Sequence, residues 1–270
     1  MFTRFLAATL LLALAACQST ADKTATTTPA ASTGTDSTLA AMMAAVRQYP
    51  DSALLADALI DTLTNRGEYA SAAAWCDTLL RRPGPDHSIY LLVKADLLRS
   101  GKQYAAAQAA YRSYIALQPA EPTLYLSLAN TMAEAGDTAT LPFADSVWQA
   151  FRTPQVRTGL AFIRGIYYSS RQQYAQARRW FDSTIVYDYA FAEAHLEKGY
   201  AWYDEGNYSE AVRSFETLTD IDTKNADAWY WLGKSREAAD DKAGAIKAYQ
   251  RSLLLNPAIA EAQAALDRLQ

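Results

Sequence analysis

A spacing of 34 residues recurs along this chain and restricts its fold more than any other feature. Gly233, Gly199 and Gly165 stand 34 residues apart, as do Ala245, Ala211 and Ala177. Four residues beyond each alanine comes an aromatic, Tyr249, Phe215 or Phe181, and Tyr208 and Tyr174 hold equivalent places ahead of the alanines. A period of this length marks a supersecondary unit that cannot bury its apolar face alone, so the chain must stack such units. Within Ala226 to Pro257, Trp229, Leu232, Gly233 and Arg236 are spaced to share one face of a helix. Ala245, Tyr249 and Ser252 form the stripe of a second helix, which Pro257 stops. Small residues at Gly233 and Ala245 let the two helices approach closely.

Upstream the same slots hold Ala95, Tyr104, Ala107, Tyr111 and Pro119. The stretch 53–87 offers Tyr69, Ala72 and Cys76, with Ile60 in the small slot. Between these units and the regular trio lies a degenerate one, 122–157, where Ala129 fills the small slot and a short insertion containing Pro142 displaces the second helix to about Ala144–Phe151. The expected organisation is a half-helix over 38–50, units over 53–87, 88–121, 122–157, 158–191, 192–225 and 226–259, and a capping helix over 260–270.

The spacing in the last unit resembles the tetratricopeptide repeat (TPR), W-x2-L-G-x2-Y followed by A-x3-F and P, with Arg236 where the pattern prefers tyrosine. The resemblance implies an all-α, right-handed superhelical solenoid of antiparallel helix pairs, with a concave groove that holds a segment of a partner polypeptide. In each first helix the residues three before, one after and four after the small slot share a second face, and the family's geometry puts that face in the groove. Its early end is acidic, with Asp57, Asp61 and Asp96; its later end is apolar and aromatic, with Phe162, Ile166, Tyr200, Tyr203 and Tyr230. Apolar anchors of a partner are expected on the aromatic end and basic residues on the aspartates. Replacing Tyr200 and Tyr203 with alanine is expected to abolish capture without unfolding the chain. One TPR subclass clamps acidic C-termini with Lys, Asn and Arg; Asn130 holds one such place, but Leu126 stands where the clamp needs lysine.

The N-terminus carries a different signal. Arg4 precedes an apolar run, Phe5 to Leu14, that ends in Ala15-Ala16-Cys17. The run is shorter than the roughly 18 residues a membrane-spanning helix needs, and it reads as a secretion signal over 1–16. Leu14-Ala15-Ala16-Cys17 resembles the lipobox of bacterial lipoproteins, which implies lipidation at Cys17; an ordinary signal peptide cleaved nearby is the alternative. Gln18 is not the aspartate that retains such proteins in the inner membrane, so the resemblance favours the outer membrane, with the domain facing the periplasm or the cell surface. Residues 17–37, rich in Ser, Thr, Ala, Gly and Pro, read as a flexible tether. With Cys17 lipidated, Cys76 has no partner and reads as a buried, inert thiol.

The remaining chemistry is sparse. A net charge of −4 argues against a nucleic-acid partner, and two histidines and two cysteines leave little material for a metal site. Gly233-Lys234-Ser235 lacks the upstream glycine of a phosphate-binding loop. His195 and His87 read as structural, and Asp240-Asp241 as turn residues. No cofactor is expected and the chain does not read as an enzyme. The reading is a lipid-anchored protein-interaction adaptor of the bacterial envelope, and the alternative is a glycan-binding outer-membrane lipoprotein of an import system.

Overall fold

A computed structural model describes residues 33–49, 52–81 and 88–270. These residues hold fourteen helices and no strand. Helix α1 (Thr33–Gln48) is followed by the pairs α2 (Ala53–Asn65) and α3 (Tyr69–Leu80), α4 (Ile89–Ser100) and α5 (Tyr104–Leu117), and α6 (Pro122–Glu134) and α7 (Thr140–Phe151). Next come α8 (Pro154–Ser170) and α9 (Tyr174–Tyr187), α10 (Ala192–Asp204) and α11 (Tyr208–Ile221), α12 (Ala226–Ala238) and α13 (Lys242–Leu255), and the closing α14 (Ala260–Leu269). Contacts run almost wholly between consecutive helices, which makes the fold a solenoid of antiparallel hairpins. Cys17 and His87 lie outside the described residues.

The packing rule at the heart of each hairpin is volume exchange between two slots. A Cβ added to Gly165 would stand 2.3 Å from the Phe181 ring, one on Gly199 2.6 Å from Phe215, and one on Gly233 2.7 Å from Tyr249. All three rings are fully buried, so each lies flat against the bare backbone of the first helix. In the unit 53–87 the exchange runs the other way. Ile60 occupies the small slot and Cys76 the aromatic one, both are buried, and both belong to one core cluster. Burial, with Asp77 nearby, pushes the Cys76 thiol up to about 12, so at neutral pH it remains an unreactive filler.

Seven residues after each small slot the backbone turns left-handed. The residues there are Gly67, Lys102, Gly136, Gln172, Gly206 and Asp240, with φ between 58° and 82°. The turn lets the chain reverse between first and second helix in three or so residues, and glycine adopts it without steric penalty. Three of the six positions carry a side chain, at about 1 kcal/mol each. Gln172→Gly is therefore expected to stabilise the protein by up to about 0.5 kcal/mol, the relieved strain less the roughly 0.4–1 kcal/mol by which glycine frees the unfolded chain, read as a higher midpoint in chemical denaturation. An unchanged or lower midpoint would show that the Gln172 side chain compensates for its backbone.

The unit 122–157 departs from its neighbours in a way that shapes the inner face. The step from Ala129 to Gly165 is 36 residues rather than 34. The α6–α7 turn is lengthened, and the α7–α8 link is cut to Arg152 and Thr153, with Arg152 at φ 24°. Thr153 caps α8 by accepting from the Val156 N–H, and Pro154 opens that helix four residues before the boundary the repeat period set. Pro142 does not mark an insertion: it sits in the first turn of α7, where its missing N–H removes no helical hydrogen bond. Helix α8 packs more extensively on α6 than α7 does on either. Gly159 makes this possible, since a Cβ there would lie 2.9 Å from Leu126 Cδ1. Ser170 Oγ donates to the Ala133 carbonyl (2.8 Å), and Arg171 to that of Gly136 (3.3 Å), fastening the far end.

At the N-terminal end α1 starts at Thr33, so the last residues of the expected tether are helical. The stripe Leu39, Met42, Met43 and Val46, packed into the first core cluster, carries that helix, and its hydrogen-bond ladder runs about a turn beyond the stripe.

Candidate functional site

The face drawn by the three-before, one-after, four-after rule is brought together at two places. The first is a half-open cleft of about 560 Å³ between α4, α6, α8 and the turn into α10. Four face positions from three successive first helices meet there, Arg99, Leu126, Asn130 and Phe162, with Gly159, Ile163, Asp188 and Phe191 completing the walls. The Phe162 ring lies 5.1 Å from that of Phe191 and 5.8 Å from that of Phe181. A second, smaller cleft of about 310 Å³ at the C-terminal end is lined by Tyr203, Tyr230, Lys234 and Glu237 and closed by Glu261, Ala265 and Arg268 of α14.

The polar arrangement of the first cleft turns on Glu134. Its Oε1 accepts from Arg99 Nη1 at 3.0 Å and from Asn130 Nδ2 at 2.7 Å. The carboxylate thereby fixes which way the Asn130 amide faces, because Oδ1 turned toward it would be repelled. Two buried atoms of this trio have no hydrogen-bond partner, Arg99 Nε and Asn130 Oδ1. Only one other buried side-chain N or O among the described residues shares that condition, Ser235 Oγ.

Glu197, on α10, is half-buried with Glu134 among its charged neighbours. Burial, with Glu134 and Asp204 facing it, pushes its carboxyl up to about 7. A carboxyl whose folded pKa is raised keeps its proton in the native state after the unfolded chain has released it. Stability therefore falls as pH rises from the ordinary carboxylate value of 4.5 through about 7. Glu197→Gln is expected to remove that slope and to be more stable than wild type at pH 8, as thermal melts across pH 4 to 8 will show; parallel curves for the two proteins would refute the assignment.

The other sequence-derived site residues divide by environment. Tyr203 and Tyr230 line the second cleft, and Lys234 Nζ stands 5.1 Å over the Tyr203 ring and 4.2 Å over Trp231. Tyr200 lines neither cleft: its ring packs edge-on to Trp231 at 4.6 Å and against Phe215 at 5.8 Å. Ile166 packs partly buried against the α6–α8 core. Asp57, Asp61 and Asp96 are exposed, but Asp57 accepts from the Tyr90 hydroxyl (3.1 Å) and Asp96 from that of Tyr111, so two of the three already hold hydrogen bonds.

Gly159, Asp188 and Phe191 were absent from the residues the repeat pattern singled out. A glycine inside a helix interior, unfavourable by about 1 kcal/mol against alanine, was the available signal for the first. Phe191 and Asp188 carry none, since they come from the turn before α10. The other motifs are structural. His195 is buried with Nε2 2.9 Å from the Tyr189 carbonyl, Asp240 occupies the left-handed turn, and Asp241 caps α13.

A family model described as TPR repeat matches residues 199–238, and one described as tetratricopeptide repeat matches residues 226–259. Solved solenoids align over most of the chain. One is a tetratricopeptide repeat protein from Parabacteroides merdae ATCC 43184, 15% identical, covering 87% of this chain and 91% of that one at a TM-score of 0.58. Residues 199–259 are tetratricopeptide repeats. A thermophilic TPR protein of Thermus thermophilus is 16% identical over 67% of this chain and 98% of its own, TM-score 0.54. PilW, a type IV pilus biogenesis factor, is 17% identical over 78% of this chain and 97% of its own, also at 0.54. At these identities the TPR solenoids share the fold alone. No match was found among curated protein sequences. The expectation of an all-α solenoid holds, and the TPR repeats imply a protein–protein interaction scaffold.

Proposed function

We propose that this TPR protein is a lipid-anchored adaptor of the bacterial cell envelope that holds a segment of a partner polypeptide along its inner face. The observation that carries the reading is the convergence of face positions from successive first helices into two clefts, one around Phe162 and one around Tyr203 and Tyr230. Each joins aromatic walls to a few polar groups, the composition that binds a side chain and orients it. The anchor rests on the sequence alone, on the apolar run ending in Leu14-Ala15-Ala16-Cys17. Gln18 favours the outer membrane by the same resemblance.

A photoreactive residue at Tyr203, introduced in the native host, tests the partner. A defined protein adduct that disappears when Phe162 and Tyr230 are replaced with alanine supports the adaptor. Adducts confined to glycan or lipid would sink it and favour the glycan-binding alternative. Cys17→Ser tests the anchor separately: the variant should leave the membrane fraction and lose palmitate labelling, and unchanged fractionation would refute lipidation.

A further inference from the structure

The exposed apolar side chains of the solenoid all stand on one edge. A stack of antiparallel hairpins sends its within-repeat turns to one edge and its between-repeat links to the other. Leu117, Val186 with Tyr187, and Leu254 end the second helices α5, α9 and α13, and Tyr189 follows in the link to α10. Tyr49 lies in the link after α1, and Leu54 and Ile89 open α2 and α4. Among the described residues no other large apolar side chain is exposed. A single exposed leucine needs no explanation; eight on the link edge do. The turn edge is not short of such residues, since Tyr69, Tyr104, Tyr174 and Tyr208 open second helices there, but each of those is half-buried. Packing takes in the apolar side chains of one edge and leaves out those of the other.

We infer that the link edge rests on a lipid bilayer, with Val186, Tyr187 and Tyr189 entering the headgroup region and the within-repeat turns facing away from it. The inference rests on the lipid-anchor part of the proposed function and adds an orientation to it. Sixteen peptide steps join Cys17 to Thr33, a reach of at most about 55 Å. Helix α1 runs about 24 Å from Thr33 toward the link edge, so a bilayer that holds Cys17 can also meet that edge. The exposed side chains are spread along successive links, whereas protein hot spots cluster in one packed centre. A fluid interface asks for no such complementarity of shape. Arg157 and Lys224 stand near Asp188 and Asp222, so the edge selects no partner by charge, and burial of apolar groups drives its contact. Tyrosine suits the membrane–water boundary, where its ring meets acyl chains and its hydroxyl meets water. Arg157, 4.4 Å over the Tyr187 ring, carries a cation to the level of the lipid phosphates. Each insertion is weak, but the anchor makes it intramolecular.

The experiment uses the full-length protein, purified from its own membrane and reconstituted into vesicles of phosphatidylethanolamine and phosphatidylglycerol. A nitroxide is placed at Val186→Cys on the link edge or at Ser209→Cys on the turn edge, both exposed positions that tolerate a probe. Labelling is selective, because the lipid occupies Cys17 and the buried Cys76 thiol is unreactive. Power saturation compares collisions with oxygen, which concentrates in the bilayer, and with a water-soluble nickel complex. The oxygen-to-nickel ratio is expected to be several-fold higher at Val186→Cys than at Ser209→Cys, and to fall toward the Ser209→Cys value when Tyr187→Ser and Tyr189→Ser are added. Equal, water-like ratios at both positions on vesicle-bound protein would overturn the edge and leave the anchor standing. Spin–spin broadening at Val186→Cys that grows with protein density would show a second copy covering the edge, and would also overturn the bilayer assignment. Protein that fails to stay with the vesicles would overturn both the edge and the anchor.

Discussion

Gly165→Ala is expected to destabilise this TPR protein by about 2 kcal/mol, the net of an overpacking penalty of about 1–3 kcal/mol or more and a helix-propensity gain of up to about 1. The added methyl would stand 2.3 Å from a carbon of the Phe181 ring, a distance that real contacts do not show, and the ring is fully buried with no room to retreat. Helices α8 and α9 must therefore separate. The equivalent slot of the unit 88–121 holds Ala95 opposite the fully buried Tyr111, so the fold tolerates a methyl where the helices are set for it. The effect at Gly165 thus measures how closely that particular pair is docked. Adding Phe181→Leu to Gly165→Ala should recover most of the loss, by the same exchange that pairs Ile60 with Cys76. Urea denaturation followed by helical ellipticity reads both variants. A double mutant no more stable than Gly165→Ala alone would show that the two slots do not share volume.

Tyr200→Ala carries the second large effect, and it reverses an expectation drawn from the repeat pattern. As a groove residue Tyr200 should be dispensable for folding. Its ring instead packs between Trp231 and Phe215, and burial, with Glu197 and Asp227 nearby, raises its hydroxyl pKa. Truncation leaves a cavity where α10, α11 and α12 meet, and a loss of about 2–3 kcal/mol is expected, below the 3–5 of a fully buried aromatic. Tyr203→Ala, one turn along the same helix, gives up contacts with Trp231 and Tyr208 but lines the open C-terminal cleft and touches no fully buried ring, so it should lose less, about 1 kcal/mol. The contrast makes Tyr203 the residue for testing partner capture, since a loss of binding in Tyr200→Ala would be confounded by a loosened repeat. Equal melting temperatures for the two variants would contradict the packing described.

The recurring period determined a great deal by itself. Small and aromatic residues at fixed separations dictate a helical hairpin, because only those spacings place them on facing stripes. A hairpin with one uncovered apolar side dictates stacking. The inner-face rule is likewise a consequence of helical geometry, and it correctly grouped Arg99, Leu126, Asn130 and Phe162 from helices far apart in sequence.

Only the tertiary structure decided which members of that face remain open. Tyr200 and Tyr203 are equivalent in sequence terms and both set their rings against Trp231 of the following repeat, but Tyr200 also packs on Phe215 whereas Tyr203 lines the C-terminal cleft. The left-handed residue in every hairpin turn has no sequence signature, because lysine, glutamine and aspartate stand there as often as glycine. The irregular unit was visible as a break in register, but its consequence was not. A two-residue surplus can be absorbed in a loop or by moving a helix, and Gly159 against Leu126 selects the second. Periodicity specifies contacts within a unit because they are local and repeated; the cleft arises where the period fails, from contacts made once.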